Sequence, residues 1–427
     1  MDPILPTRPR ARLARTLLAL AALAVLAPGC AKSTKPKVVP PLSKVVLTPP
    51  LDTLQVDQLA TFTATAYDTN LVPVTVAFEW TSTNPFAATV NIVGQVRAHN
   101  EGTTLIIAAA GGKSDTSLVA VYPDTGWIAQ TSNANEDLNG VFFRPDGQTG
   151  WAVGAAGLLL STVDAGATWS RDLITNFTLN GVVFWTDVYG IVVGNGGTVL
   201  LSGPSVPGQP LNWFRPDTLN ASEALYDVTY AASPGDSGIA WAVGQNGVIL
   251  RSINLGRSWQ KQFIPGGSTL RSVAFSSTKD GWAAGDNGVL AGTHDRGVTW
   301  FLVSPSVTGV PLRSVAAKSA LRNAAAGTNG TITRTAATPD SIAWTLENAG
   351  STLDLHGIAF GDSVLYAVGA QSSSGGIWRS DDFGVTWLPQ VAHAQFVLKD
   401  VYFVDRQHGW AVGNNGQIRH TARGGTK

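Results

Sequence analysis

A repeated acidic turn is the feature of this 427-residue sequence that most resembles a site for chemistry. The pattern Ser/Thr-x-Asp-x-Gly-x-Thr-Trp occurs three times with all its residues: Asp164, Gly166 and Trp169; Asp295, Gly297 and Trp300; Asp382, Gly384 and Trp387. Repeated carboxylates suggest calcium, but each turn offers one carboxylate and Ca²⁺ takes about six to eight oxygens. We therefore predict a structural turn in which Asp accepts main-chain N–H groups, Gly adopts positive φ and Trp packs between sheets. No metal site is predicted.

Other reactive groups are sparse. The chain has one cysteine, so no intrachain disulfide can form, and its six histidines show no metal-ligand spacing. No glycine-rich phosphate loop stands outside the repeat described below, so we predict no cofactor. The formal net charge is zero, which argues against a broad basic face for nucleic acid. We predict that the protein is not an enzyme.

The acidic turn belongs to a longer repeat of 41 to 46 residues. Each unit opens with Leu-x-x-Val/Ile-x-aromatic and continues through Gly-Trp-Ala-Val-Gly or a variant of it. The opening leucines are Leu138, Leu179, Leu225, Leu270, Leu312, Leu355 and Leu398, and the central glycines are Gly154, Gly194, Gly244, Gly285, Gly327, Gly369 and Gly413. Seven units of this length, each with several short strands, predict a seven-bladed β-propeller.

The last unit ends before its tryptophan strand. Trp127 lies 11 residues before Leu138, the same spacing that separates Trp259, Trp344 and Trp387 from the leucine that follows each of them. Residues 126–131 are therefore predicted to supply the missing outer strand and to close the ring, which leaves no open sheet edge.

One position of the repeat is variable and polar. The residue after the opening leucine is Asn139, Asn180, Tyr226, Arg271, Arg313, His356 and Lys399 in successive units. The last four, which we call the basic arc, are predicted to lie side by side at one mouth of the central channel. They form a candidate binding site for an acidic or carboxylate-bearing partner, and the alternative is a solvated ring entrance. Arg251, Arg334 and Arg379 share another position, just before the acidic turn, and are predicted to face solvent.

The N-terminal segment predicts the compartment. Four arginines within residues 8–15 precede an apolar run from Leu17 to Leu26, as in a secretory signal. The run ends in Leu-Ala-Pro-Gly-Cys30, which resembles the lipobox of bacterial lipoproteins. Residues 1–29 are thus a predicted lipoprotein signal peptide and residues 30–41 a Pro-rich tether, with acylated Cys30 holding the protein on a lipid bilayer. The prediction is an extracytoplasmic protein anchored to the bacterial envelope, at the outer membrane or the periplasmic face.

Residues 42–123 show the alternation of short strands. The segments VVLTPP, ATFTATAYD and FEWTSTNP follow one another, with residues 60–67 as one strand. Together with GQVRAHNEGTTLIIA they resemble the bacterial Ig-like group 2 domain, which implies a β-sandwich that acts as a spacer or adhesive module. The expected fold class is all-β, with this Ig-like sandwich before a seven-bladed β-propeller over residues 124–427.

The repeat LxxVxF…GWAVGxxGxI…S/TxDxGxTW resembles the photosystem II stability/assembly factor family, and its acidic turns resemble the Asp-boxes of BNR repeats. The resemblance implies a propeller that binds a protein client in the membrane or envelope and assists its assembly. Asp-boxes also occur in sialidases and glucan hydrolases, so a carbohydrate-binding protein or glycoside hydrolase with a glycan ligand is the alternative. Asp227, Asp354 and Asp400 are the carboxylates that such an enzyme could use.

Overall fold

The computed structural model describes residues 41–425 except 57, 101, 123–125, 205–209, 235–237, 304–306, 339–340, 350–352, 372–373 and 395. The described residues form strands joined by turns and 3₁₀ turns, and the all-β class is confirmed. None of the helices in this part of the chain is long and apolar enough to cross a membrane.

The N-terminal domain contains ten strands. They are β1 Leu42–Thr48, β2 Leu51–Gln55, β3 Leu59–Thr61, β4 Thr63–Asp68, β5 Pro73–Val74, β6 Glu79–Ser82, β7 Ala88–Val90, β8 Gln95–Ala98, β9 Gly102–Ala110 and β10 Lys113–Tyr122. The sheets have the strand orders β1-β4-β5, β2-β10-β9-β6 and β3-β8-β7. Strands β2 and β10 are parallel, and the other pairs are antiparallel.

The single strand predicted for residues 60–67 is wrong. The chain leaves one sheet and enters another at Phe62, so that β3 pairs with β8 while β4 pairs with β1. The Phe62 side chain is buried in the domain core, and its N–H donates to the Gly94 carbonyl over 2.8 Å. Alternation of period two continues through this switch, so the pattern alone did not reveal it.

The remaining strands form seven four-stranded antiparallel sheets, which we call blades 1 to 7. Blades 1 to 3 are β12 Leu138–Phe143, β13 Gly150–Gly154, β14 Leu158–Thr162 and β15 Ser170–Leu173; β16 Leu179–Phe184, β17 Gly190–Gly194, β18 Thr198–Gly203 and β19 Asn212–Phe214; and β20 Leu225–Ala231, β21 Ile239–Gly244, β22 Val248–Ser252 and β23 Gln260–Phe263. Blades 4 to 6 are β24 Leu270–Phe275, β25 Gly281–Gly285, β26 Leu290–Thr293 and β27 Phe301–Leu302; β28 Leu312–Ser319, β29 Arg322–Gly327, β30 Thr331–Thr338 and β31 Ser341–Asn348; and β32 Leu353–Gly361, β33 Val364–Gln371, β34 Ser374–Ser380 and β35 Leu388–Ala394. Blade 7 consists of β36 Leu398–Phe403, β37 Gly409–Gly413, β38 Ile418–Thr421 and the earlier strand β11 Trp127–Gln130.

The blades stand in a closed ring. The first strand of each blade packs against the first strand of the next, and β36 of blade 7 packs against β12 of blade 1. The opening leucines of all seven blades are fully buried at this inner surface. The hydrophobic core is divided into clusters that lie between neighbouring blades rather than at the centre of the ring. The centre is therefore left as a channel.

The closing strand lies where the spacing of the tryptophans predicts it. Strand β11 pairs antiparallel with β38, with Trp127 opposite Thr421 and Gln130 opposite Ile418. The Trp127 ring is buried edge-on against Tyr366 and Phe403, with centroid distances of 6.4 and 5.8 Å. Residues that precede blade 1 in the chain thus complete blade 7.

Each central glycine is required by a close backbone approach. A Cβ on Gly285 would lie 2.0 Å from the carbonyl oxygen of Thr269, and a Cβ on Gly154 would lie 2.0 Å from that of Asp137. The other five central glycines face the equivalent carbonyl at 2.0 to 2.2 Å. The end of the second strand can therefore pack against the carbonyl that precedes the first strand only because glycine has no side chain.

Candidate functional site

One mouth of the channel forms a cavity of about 320 Å³. It is lined by the residue after each opening leucine and by several of the residues that follow: Asn139, Asn180, Tyr226, Asp227, Arg271, Ser272, Arg313, Ser314, His356, Lys399 and Asp400. A β-bulge after the opening leucine, present in every blade, turns these side chains toward the channel. The four members of the basic arc therefore share one cavity.

Two members of the basic arc are paired with carboxylates. Arg271 donates to both oxygens of Asp286 over 2.9 and 2.8 Å, and its guanidinium stacks on the Tyr226 ring. Lys399 donates to Asp137 over 2.9 Å and to the Asn139 amide oxygen over 3.0 Å. Their charges are largely offset inside the mouth, so the arc is less positive than its composition suggests.

The other two members of the basic arc, His356 and Arg313, are not paired with a described carboxylate. Desolvation and the neighbouring Arg313 lower the pKa of His356, so its imidazole is neutral near pH 7. The His356 Nδ1 atom bonds to the Leu398 carbonyl over 3.1 Å. The Arg313 Nε atom is buried without a hydrogen-bond partner, and none of the described carboxylates forms an ion pair with its guanidinium. Arg313 is the uncompensated positive charge of the arc.

A ring of side-chain to backbone bonds lies just inside the mouth. Asp400 of blade 7 accepts from the Val141 N–H of blade 1 over 2.9 Å, and Asp227 of blade 3 accepts from the Val273 N–H of blade 4 over 2.9 Å. At the same position, Ser272 and Ser314 accept from Val315 and Ile358 of the next blades over 3.2 and 3.1 Å. These residues therefore join neighbouring blades where the bulge has freed a main-chain N–H.

The two aspartates of this ring titrate far from their usual range. Desolvation raises the pKa of Asp227 to about 6 and that of Asp400 to about 7, and the charge of Asp227 contributes to the shift at Asp400. An unfolded chain loses these protons near pH 4, whereas the folded chain retains them to higher pH. Their contribution to stability is therefore favourable at low pH and declines as pH rises from about 4 to about 7.

Replacing Asp400 by serine should remove much of this pH dependence. Serine at the equivalent positions of blades 4 and 5 already bonds to the next blade, so the contact with Val141 can survive. We expect Asp400→Ser to stabilise the protein by on the order of 1–3 kcal/mol at pH 8 and to have little effect at pH 4. Urea unfolding of both proteins from pH 4 to pH 8 measures this difference. Parallel pH profiles would contradict a buried carboxyl with a raised pKa.

The acidic turns are held by their own side chains. Asp164 accepts from the Thr168 N–H over 2.9 Å and from the Thr168 hydroxyl over 2.6 Å, and these bonds hold its pKa at about 2. Asp295 and Asp382 bond to Thr299 and Thr386 in the same way. Gly166, Gly297 and Gly384 all have positive φ, between 69 and 89°. The rings of Trp169, Trp300 and Trp387 pack against the blades, with Trp169 and Trp300 edge-on to Phe143 and Phe275.

The acidic turns of blades 1 and 4, and the equivalent turn of blade 7, also contact the preceding blade. The Trp410 indole N–H of blade 7 donates to the Ala165 carbonyl in the turn of blade 1 over 3.0 Å. The Trp241 indole N–H of blade 3 donates to the Arg296 carbonyl in the turn of blade 4 over 3.1 Å. Tyr366 of blade 6 donates to the Gly424 carbonyl of blade 7 over 2.8 Å. The turns thus hold neighbouring blades together through hydrogen bonds.

The prediction that Arg251 and Arg379 face solvent is wrong, because both side chains donate hydrogen bonds to turns of the next blade. Arg251 donates to the Arg296 carbonyl over 2.8 Å, and Arg379, which is 6% exposed, donates to the Gly424 carbonyl over 2.8 Å. Arg334 is half-buried and pairs with Glu347 over 2.9 Å. The position lies opposite the blade's central aromatic residue, which places a long side chain beside the next turn.

Sequence reasoning missed Asp137 and Asp286, the carboxylates that pair with the basic arc. Both stand at repeat positions that could have been compared, immediately before an opening leucine and immediately after a central glycine. Cys30 lies outside the described residues. Across the described part of the chain, no group of three or more His, Cys, Asp or Glu side chains could hold a metal ion.

Comparison with known protein families tests the two resemblances that the sequence suggested. Residues 209–379 match the Photosynthesis system II assembly factor YCF48 family. This segment runs from blade 2 into blade 6 and includes Arg271, Arg313 and His356 of the basic arc. Residues 42–120 match the bacterial Ig-like domain of group 2. Both sequence resemblances are therefore confirmed.

Solved YCF48 structures have the same fold. A YCF48 bound to a D1 peptide is 19% identical, with a TM-score of 0.56 over 70% of this chain and 95% of that chain. YCF48 from Cyanidioschyzon merolae is 21% identical, with a TM-score of 0.55 over 69% of this chain and 98% of that chain. The WD40 repeats of RRP9, at 9% identity, reach a TM-score of 0.55, so the likeness reflects the propeller fold. No curated protein matches the chain by sequence.

Proposed function

We propose that this protein is an envelope-anchored binding protein whose propeller captures an acidic or carboxylate-bearing segment of a protein client at the channel mouth. The observation that carries the proposal is Arg313, a half-buried arginine that faces a cavity of about 320 Å³. Its Nε atom is buried without a hydrogen-bond partner, and its guanidinium has no carboxylate partner among the described residues. A guanidinium binds a carboxylate through two parallel hydrogen bonds, and the partly buried mouth strengthens that bond.

The rest of the mouth favours one carboxylate at Arg313 over a diffuse acidic surface. Arg271 and Lys399 already have acidic partners, and His356 is neutral near pH 7. Asn139 and Asn180 use their amide N–H groups to bond the next blade, which keeps this part of the rim in place. The YCF48 structure with a D1 peptide supports a protein client for a propeller of this kind.

Photocrosslinking in the native envelope tests the proposal. Tyr226, which lines the same mouth as Arg313, is replaced by p-benzoylphenylalanine in the full-length protein, and adducts are mapped by mass spectrometry. We expect one envelope-protein adduct through an acidic or C-terminal peptide. Arg313→Glu should reduce its yield at least about tenfold, since reversing a paired charge costs several kcal/mol. Arg257→Glu, at an exposed arginine outside the mouth, is the matched control.

Equal adduct yields for Arg313→Glu and the parent protein would show that the client does not bind through Arg313 at the mouth. Glycan adducts without protein would instead support the carbohydrate-binding or hydrolase alternative. The geometry gives the hydrolase less support, because Asp227 and Asp400 both hold main-chain N–H groups of adjacent blades. Asp354 is exposed and accepts from the Asn329 N–H.

The anchor is a separate part of the proposal. Metabolic labelling with an alkyne fatty acid should label the protein, and Cys30→Ser should abolish the label and move the protein from the membrane pellet to the soluble fraction. Labelling that survives this substitution would place the lipid on another residue, and a parent protein without any label would exclude the lipid anchor. The result does not depend on Arg313, so the two parts of the proposal fail independently.

A further inference from the structure

In five blades, the residue three positions before the central glycine is aromatic and carries a polar group: Trp151, Trp241, Trp282, Tyr366 and Trp410. In blades 3, 6 and 7 that group donates to a turn carbonyl of the next blade. In blade 4 the Trp282 indole N–H reaches the Asn323 amide oxygen of blade 5 over 3.3 Å once that amide is oriented to accept. The next blade therefore supplies an acceptor in four of the five cases.

Trp151 of blade 1 is the exception. Its side chain is 2% exposed, and its ring stacks on Phe184 of blade 2 with a centroid distance of 3.6 Å. None of the described residues accepts a hydrogen bond from its indole N–H. The residue lines a cavity of about 440 Å³ between blades 1 and 2, together with Thr149, Leu159, Ser161, Asp172 and Leu211. A nearly buried donor thus borders a space large enough for a ligand.

Blades 1 and 2 differ from the other repeats at two positions near this cavity. The sequence of blade 2 has no acidic-turn motif before Trp213, and none of its described residues brings a carbonyl oxygen to the Trp151 indole N–H. The residue opposite Trp151 on the next strand is Ser161, whereas Arg251 and Arg379 fill that position in blades 3 and 6. Among the described residues, the space between blades 1 and 2 therefore lacks both the turn carbonyl and the arginine that meet the aromatic residue in blades 3 and 6.

We propose that this cavity binds a peptide segment of another protein, whose main-chain carbonyl accepts the Trp151 indole N–H as turn carbonyls accept the equivalent groups in blades 3, 6 and 7. The rim adds charge selectivity. Asp172 has no basic partner among the described residues. Asp187 Oδ1 lies 3.2 Å from Arg144 Nε, but the Asp187 side chain is still 68% exposed. A lysine or arginine beside the bound carbonyl would meet these two carboxylates. This site is independent of the basic arc and of the function proposed for it.

The molecule itself supplies a probe. The blade 3 turn, RSINLGRSW at residues 251–259, has the spacing of the acidic turn, carries two arginines and has Asn254 in place of the acid. We would titrate this nonapeptide, acetylated and amidated, into the ¹⁵N-labelled mature protein and follow the indole N–H resonances. The Trp151 resonance, assigned by its loss in Trp151→Phe, should shift downfield. The acidic turn STVDAGATW of residues 161–169 should bind more weakly.

Three variants separate binding from stability. Trp151→Phe keeps the stacked ring and should weaken the nonapeptide about threefold to tenfold with little change in melting temperature, because its N–H has no internal partner. Ser161→Arg should fill the cavity and abolish binding. Trp410→Phe, which loses a bond to Ala165, should lower the melting temperature without changing the affinity.

Equal affinities for Trp151→Phe and the parent protein would overturn the proposal, and so would an unchanged Trp151 resonance at millimolar peptide. A Trp151 indole proton already protected from solvent exchange without peptide would also overturn it, since the chain would then cover its own site. Ser161→Arg keeps the test valid if Trp151→Phe does not fold, because it leaves the ring in place.

Discussion

Trp127→Ala is expected to lower the free energy of unfolding of the propeller by about 3–5 kcal/mol and its melting temperature by roughly 5 to 15 °C. The Trp127 side chain is 1% exposed and belongs to the cluster between blades 6 and 7, with Tyr366, Val401 and Phe403. The residue also lies on the strand that completes blade 7, so its removal weakens the pairing with β38 as well. Calorimetry of the full mature chain measures the loss.

Ile128→Ala is the matched control for this prediction. Ile128 follows Trp127 on the same strand and pairs with His420, but its side chain is 57% exposed. We expect a change within about 0.5 kcal/mol, as for most surface positions. If both variants melt like the parent protein, strand β11 does not close the ring in solution. If Ile128→Ala is as damaging as Trp127→Ala, the loss reflects strand propensity and not the buried ring.

Gly285→Ala should be at least as damaging, at about 3 kcal/mol or more. The new Cβ would lie 2.0 Å from the Thr269 carbonyl oxygen and 2.9 Å from the Leu270 Cα, both of which are backbone atoms that cannot rotate away. That carbonyl also accepts from the Asp286 N–H over 2.9 Å, so moving it breaks a hydrogen bond beside the channel mouth. Urea unfolding of the two proteins measures the difference.

Gly309→Ala provides the comparison. This glycine has open space around its Cβ position and does not have the positive φ that would strain an alanine. We expect it to be neutral or slightly stabilising, because alanine restricts the unfolded chain. Similar stabilities for Gly285→Ala and Gly309→Ala would show that the inner strands yield at low cost, which would contradict a rigid contact at the central glycines.

The repeat made much of the propeller predictable. A buried leucine and a crowded glycine recur once per unit because every blade meets its neighbours in the same way, so one spacing determined the strand order and the closing strand. The repeat also placed Arg271, Arg313, His356 and Lys399 on adjacent blades, and the structure puts all four in one cavity.

The charge state of the mouth could not be predicted in the same way. Lys399 and Asp137 are 262 residues apart, and they meet only because blade 7 is next to blade 1. Whether Asp286 reaches Arg271 depends on the conformation of both side chains above the 3₁₀ turn at Asp286–Gly288. The cavity at Trp151 was missed for a different reason, because it results from a motif that blade 2 lacks and no residue pattern marks it.

The closing strand also has a consequence for the order of synthesis. Trp127 emerges from the ribosome early, but its partner Thr421 emerges almost 300 residues later. At about 5–20 residues per second, the interval is on the order of 15 to 60 s. The residues of blades 1 to 6 have all been synthesised by then, and the tryptophan strand still lacks its partner strand. The nascent chain therefore carries one unpaired apolar strand through most of its translation, and the ring closes only after the final repeat has been made.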